Sequence, residues 1–261
     1  MQKKPFKLIT VSLILSIFIF GCLCAMAARC GPYEVQFSDL FTSEFTDEQN
    51  GAYFRKVERG DYAFGYITLK NGERVSAYTD YSPYGICVRE MFAGDEDSIL
   101  FAGSSTLDMG SETVVFTVTE AAEGIELGFT ELVLQITRLT EVAELNPYEL
   151  TEAYWYDADN IFALSYNYQL PVLSRILTCY GIDGNGYIYY GQYDFKWTEN
   201  GFEICKWGKC IASGTYVFDA IEFELTLTFE SDDMFGVNKP FASYPNLILQ
   251  TNWDSQRYFE D

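Results

Sequence analysis

The chain has 261 residues, 48% hydrophobic and 17% aromatic, with a formal charge of −21 and no histidine. That acidity opposes phosphate backbones and anionic headgroups, so no nucleic acid is expected as a partner, and membrane contact is confined to an N-terminal anchor. Without histidine, Ser-His-Asp and Cys-His catalysis, HExxH sites and histidine-ligated zinc are excluded together.

At the N-terminus, Lys3, Lys4 and Lys7 precede an apolar run from Leu8 to Phe20. A basic stretch, a short apolar stretch and small residues after it form an export address that does not belong to the folded domain. Residues 1–30 are therefore predicted to be a signal peptide or membrane anchor, and residues 31–261 to work outside the cytoplasm. Three fates are open to the segment. Ile19-Phe20-Gly21-Cys22 resembles the lipobox of bacterial lipoproteins, which makes Cys22 the candidate for lipidation. Ala25-Met26-Ala27 is a rival A-x-A site whose cleavage secretes the rest. Retention is the third, because Leu8 to Ala28 is 21 uncharged residues, enough for one bilayer crossing with the lysines inside. Losing Lys3, Lys4 and Lys7 takes the charge from −21 to −24, which suits solubility at a crowded cell surface.

Tyr33 to Phe37 reads as a short strand, and Asp39 to Gln49 as a helical turn. From Gly51 the pattern is of strands broken by turn residues: Tyr53 to Val57, Tyr62 to Leu69, Arg74 to Tyr78, Ile86 to Met91, Ser98 to Ala102, Thr113 to Thr119 and Ile125 to Thr137. Asn71-Gly72 is a hairpin signal. Between Thr137 and Leu150, Leu139, Val142, Ala143 and Leu145 fall at near-helical spacing closed by Pro147, a linker between two halves. The second half reads as strands at Tyr154 to Tyr156, Ile161 to Tyr168, Leu173 to Tyr180, Tyr187 to Trp197, Phe202 to Cys205, Ile211 to Phe218, Glu222 to Phe229 and Leu247 to Thr251. In Glu222 to Phe229, Phe223, Leu225, Leu227 and Phe229 alternate with polar residues, so one face is buried and one wet. The predicted fold class is all-β, with two small antiparallel barrels or sandwiches: a first domain over 31–138, a linker over 139–151 and a second domain over 152–261.

Three correspondences suggest duplication. Gly51-Ala52-Tyr53-Phe54 parallels Glu152-Ala153-Tyr154-Trp155, Ser111 to Phe116 parallels Ser213 to Phe218, and Leu132 to Gln135 parallels Leu247 to Gln250. A Gly-x-aromatic first strand at Gly51-x-Tyr53, a run of antiparallel strands, the late Gly214-Thr215-Tyr216 and a final aliphatic strand are similar to the lipocalin-like domains of bacterial exported lipoproteins. For that family the resemblance implies a closed antiparallel meander whose interior takes a small apolar or aromatic ligand.

Of the seven cysteines, Cys87, Cys179, Cys205 and Cys210 lie in the body. Cys205 and Cys210 bracket Lys206-Trp207-Gly208-Lys209 between strand-like residues, so a disulfide across this hairpin is expected in an oxidising compartment. Asp183-Gly184-Asn185-Gly186 has the glycine of a calcium loop, but Gly181 and Gln192 stand where its end carboxylates belong, so a β-turn is the better reading. Asp95-Glu96-Asp97, Asp157 with Asp159, and Asp232-Asp233 read as solvated loop acids rather than paired glycosidase carboxylates. Trp155 and Trp197 are expected in the core, whereas Trp207, at a hairpin tip, is a candidate ligand or partner contact.

The expected function is non-enzymatic binding at the cell envelope of a small apolar or aromatic ligand or a glycan, with no cofactor. The alternative is a structural or assembly subunit that binds another envelope protein. The expected location is extracytoplasmic and membrane-anchored, or secreted.

Overall fold

The computed structural model describes residues 36–58, 61–82, 85–93, 99–139, 145–167, 169–182, 188–230 and 246–253. The predicted export segment with Cys22, the acidic runs Asp95–Asp97 and Asp232–Asp233, the expected turn at 183–187 and most of the stretch expected to be near-helical before Pro147 lie outside these residues. Among the described residues, no helix is long and apolar enough to cross a membrane.

Sixteen strands make two closed antiparallel barrels of eight. The first runs β1 (Ser43–Asp47), β2 (Ala52–Lys56), β3 (Tyr62–Thr68), β4 (Arg74–Ser82), β5 (Gly85–Glu90), β6 (Ile99–Asp108), β7 (Thr113–Ala121) and β8 (Glu131–Arg138). Every strand pairs with its chain neighbour, and β1 closes on β8. The second runs β9 (Trp155–Tyr156), β10 (Phe162–Tyr166), β11 (Ser174–Ile182), β12 (Ile188–Thr198), β13 (Gly201–Lys206), β14 (Lys209–Asp219), β15 (Glu224–Phe229) and β16 (Asn246–Thr251). Its closure rests on the two residues of β9, held between β10 and β16. Closure removes both free edges and decides between barrel and sandwich.

Strand parity explains the cores. Along β8, Leu132, Leu134 and Ile136 are buried and their neighbours exposed. They meet Phe45, Phe54, Ile67, Val88, Phe101, Val114 and Phe116, which are likewise buried. In the second barrel Trp155, Leu164, Leu177, Phe195, Trp197, Phe202, Ile204, Leu225, Leu227 and Leu249 fill the equivalent space. Edge-to-face contact between Phe195 and Trp197, with centroids 4.8 Å apart, packs the centre. The inward positions that in the resemblance would surround a ligand are thus taken by aliphatic and aromatic side chains.

Three expectations are corrected. Residues predicted as a helical turn form β1, preceded by a 3₁₀ turn at Phe37–Asp39. Pairing on both sides, to β2 and β8, outweighs the weak strand propensity of Ser43-Glu44-Phe45-Thr46-Asp47. The strand expected from Ile125 begins only at Glu131, because a turn closed by the Ile125 N–H donating to the Ala122 carbonyl occupies the earlier residues. Finally, the first two sequence correspondences join strands of unequal rank. Gly51 to Phe54 enters the second strand of its barrel and Glu152 to Trp155 the first, while Ser111 to Phe116 enters the seventh strand and Ser213 to Phe218 lies on the sixth. Leu132 to Gln135 and Leu247 to Gln250 do occupy equal rank, as eighth strands. Alternating strands resemble each other whichever rank they hold.

The barrels share a packed junction. Val57, Phe64 and Met91 of the first barrel belong to the same apolar cluster as the second core, together with Leu145 and Leu150 from the connecting segment. Buried polar groups lie in it too. Glu58 accepts from the Thr151 hydroxyl and the Glu152 N–H at 2.9 Å each, both on Oε2. Arg175 donates to the carbonyls of Val172, Ser174 and Leu150. Burial pulls the Arg175 pKa down, while the Glu58 charge supports its protonated form.

Candidate functional site: an aromatic cleft on the first barrel

Strands β2 and β3 place Tyr53, Arg55 and Tyr66 on the outer wall, since Ala52, Phe54 and Ile67, of the other parity, point inward. Tyr53 and Tyr66 are cross-strand partners, and their rings stack at 5.6 Å and 28°. The Arg74 guanidinium lies 4.0 Å from the Tyr66 centroid, extending the stack with a cation. At the other end the Tyr53 hydroxyl donates to Glu44 Oε1 at 2.7 Å. Burial, then this bond to an anion, pushes the Tyr53 pKa upward, so the hydroxyl stays protonated and oriented.

The connecting segment forms the opposite lip. Asn146-Pro147-Tyr148-Glu149 folds into a 3₁₀ turn at Pro147–Glu149 with proline in its first turn. The Asn146 N–H donates to Glu149 Oε2 at 2.8 Å, which turns the carboxylate toward the barrel. There Arg55 meets it side-on, Nε to Oε1 at 2.8 Å and Nη2 to Oε2 at 2.5 Å. Burial acts against the Arg55 charge, but the hydrogen bond and charge of Glu149 outweigh it and raise the pKa. Tyr148 packs against Phe64 and Phe92, at 5.8 Å and 5.7 Å between centroids.

Between these lips is a cleft of about 300 Å³, lined by Tyr53, Arg55, Tyr66, Phe92, Asn146 and Tyr148 among others. Gly65 lies in its floor. A Cβ there would stand 1.9 Å from the Tyr53 carbonyl oxygen, so the close approach of β2 and β3 under the cleft requires glycine. Chemically the cleft offers ring faces, a bidentate ion pair and amide groups, and it holds a ligand of one or two small rings. A wider, shallower depression of about 410 Å³ lies on the second barrel, lined by Ser165, Tyr166, Asn167, Gln169, Ile176 and Gln192. With one ring and no charged side chain among the described residues of its lining, it offers fewer converging groups there.

No protein-family model, curated protein or solved structure matches this chain. Its function is therefore argued from its own residues.

The residues singled out by sequence fall elsewhere. Trp155 and Trp197 are fully buried, whereas Trp207 is 92% exposed. The hairpin carrying Trp207 is tighter than expected. β13 and β14 run through Lys206 and Lys209, leaving a two-residue turn, Trp207-Gly208, with φ of 54° and 73°. Positive φ at both positions is the two-residue geometry that matches strand twist, and it normally selects Asn-Gly. Cys205 and Cys210 are direct cross-strand partners, the placement that a bridge across this hairpin needs, and the structure draws them as thiols. Cys87 and Cys179 are also thiols, the first on β5 and the second buried on β11. Asp157 is occupied in a turn, where its Oδ1 accepts from the Phe162 N–H at 2.6 Å, and Asp159 is exposed.

Of the cleft residues, Tyr53 alone was singled out from sequence, as the aromatic of Gly51-x-Tyr53 and not as a contact residue. The available signal was Asn146 followed by Pro147 and Glu149, a proline-led turn with a carboxylate three residues after a capping asparagine. Read as the end of a helix, it concealed the start of a turn.

Proposed function

We propose that this is an exported cell-envelope protein that binds a glycan without chemistry, through the cleft of Tyr53, Tyr66, Phe92 and Tyr148. The observation that carries the reading is the half-buried Tyr53–Tyr66 stack beside the Arg55–Glu149 pair. Sugar rings present apolar C–H faces to aromatic rings and hydroxyls to charged and amide groups, and a cleft of about 300 Å³ has room for one or two such rings. A purely apolar ligand would leave Arg55, Glu149 and Asn146 unanswered. The two meander barrels fit the lipocalin-like resemblance in architecture, with the ligand outside rather than within. The N-terminal export address and the net charge of −21 support an extracytoplasmic place, anchored through Cys22 or through an uncleaved segment.

The test is a printed glycan array followed by calorimetry with the strongest soluble oligosaccharide. Tyr66→Ala is expected to weaken binding at least tenfold and Trp207→Ala to leave it unchanged. Failure of every oligosaccharide, or binding indifferent to Tyr66, overturns the reading. A second reading, contact with another envelope protein, is favoured by one observation: Trp207 is held fully outward in a left-handed conformation that costs tryptophan about 1–2 kcal/mol. Crosslinking from position 207 in native membranes checks it, and a partner captured there and lost in Trp207→Asn supports it.

A further inference from the structure

On the outer wall of the second barrel, away from the aromatic cleft, donor groups converge at the base of the Trp207 hairpin. Cys205 and Cys210 face each other across β13 and β14. Glu203 lies two residues before Cys205 and so shares its face of the strand. One carboxylate oxygen of Glu203 and the two sulfurs all lie within 4.8 Å of one another, each residue half-buried. Asp194, the partner of Cys205 on β12, adds a second carboxylate to the same outward row. We propose that Glu203, Cys205 and Cys210 form a metal site for a soft or borderline divalent ion, zinc(II) by chemistry.

Two thiolates and a carboxylate are a donor set that zinc takes readily, with bonds of about 2.3 Å to sulfur and about 2.0 Å to oxygen. Donors around a tetrahedral zinc stand about 3.3–3.8 Å apart by those lengths. Closing from within 4.8 Å therefore takes side-chain rotation on a fixed pair of strands and no change of fold. The fourth corner is left to water. On binding, both thiols release their protons to solvent, and the ion with two thiolates and one carboxylate carries a net charge of −1.

A cluster of sulfur and carboxylate donors repels further negative charge, and a dication relieves that repulsion. Because two protons are displaced, affinity rises steeply with pH through the neutral range. A disulfide would use the same two sulfurs, so bridge and metal are mutually exclusive.

The test uses the full-length chain, reduced and metal-free under nitrogen, titrated with cobalt(II) and then zinc(II). The expected result is a sulfur-to-cobalt charge-transfer absorption that saturates with Cys205 and Cys210 intact, vanishes on adding zinc, and is accompanied by two protons released per zinc. Because Cys22, Cys24 and Cys30 also carry thiols, the same titration is run on a chain with those three changed to serine, which is expected to keep the band. Cys205→Ser and Cys210→Ser are expected to abolish it, Glu203→Gln to weaken binding at least tenfold, and Cys87→Ser to leave it intact. Circular dichroism of each variant keeps loss of folding apart from loss of the site. A missing band, a band indifferent to Cys205→Ser, or a Cys205–Cys210 bridge in protein isolated from its native host overturns the proposal.

Discussion

Replacing Glu149 by Gln removes the anion that meets Arg55, while size and the path of the connecting segment are kept. The side chains of Arg55 and Glu149 are only 14% and 3% exposed, so water does little to screen the pair or to solvate Arg55 once its partner is gone. Two charge-assisted hydrogen bonds, at about 1.5–3 kcal/mol each, put the loss at about 3–6 kcal/mol. Breaking a buried pair from one side typically costs about 3–5 kcal/mol, so about 4 kcal/mol is expected. For a folded body of this size, that lowers Tm by about 8–16 °C. The assay is thermal unfolding followed by far-ultraviolet dichroism and tryptophan fluorescence together. Most of the penalty comes from the stranded guanidinium rather than from the attraction itself, so Arg55→Met/Glu149→Leu is expected to recover most of the loss. A fall in Tm of under about 3 °C in the single variant, or a double variant no better than the single, refutes the claim that this pair joins the connecting segment to the barrel.

Burial raises the Glu58 carboxyl to about 7 against the donors from Glu152 and Thr151, and Oε1 has no hydrogen-bond partner among the described residues. The folded chain therefore holds a proton that the unfolded chain has released from about pH 4.5 upward, so this group's contribution to stability falls by about 3 kcal/mol as pH rises from 4.5 to 7. Denaturant titrations at stepped pH are expected to show this slope in the native chain and a flatter profile in Glu58→Gln; equal slopes would disprove it. Trp207→Asn places an asparagine-glycine pair in the left-handed turn and is expected to stabilise the chain by about 1 kcal/mol in urea, whereas a loss of that size would mean the indole is packed. Gly65→Ala drives a methyl into the Tyr53 carbonyl and is expected to cost about 1–3 kcal/mol and to weaken glycan binding at the cleft, read by the same urea and calorimetric titrations.

Glu222 to Phe229 and Tyr187 to Trp197 carried their buried faces openly in the sequence, because side-chain direction in a strand alternates with period two and needs no partner to be read. The burial of Leu225, Leu227, Tyr193, Phe195 and Trp197 follows that alternation. Exposure of Trp207 was legible for a similar reason, since a residue between two adjacent strands has no inward direction to take. β1 was not legible. Its five residues, two of them acidic, have little preference of their own and become a strand only when β2 and β8 flank them.

The strand grammar, the acidity and the exclusion of histidine chemistry are properties of residues and their near neighbours, and the sequence alone determined them. Closure of each meander into a ring, the filling of both interiors by aromatic rings and the cleft beneath Tyr148 were decided by tertiary structure. They depend on pairs such as Phe45 with Ile136 and Arg55 with Glu149, which lie about ninety residues apart in the chain. Such pairs leave no periodic trace in a single sequence: each partner is ordinary alone, and the geometry exists only once the barrel has brought them together.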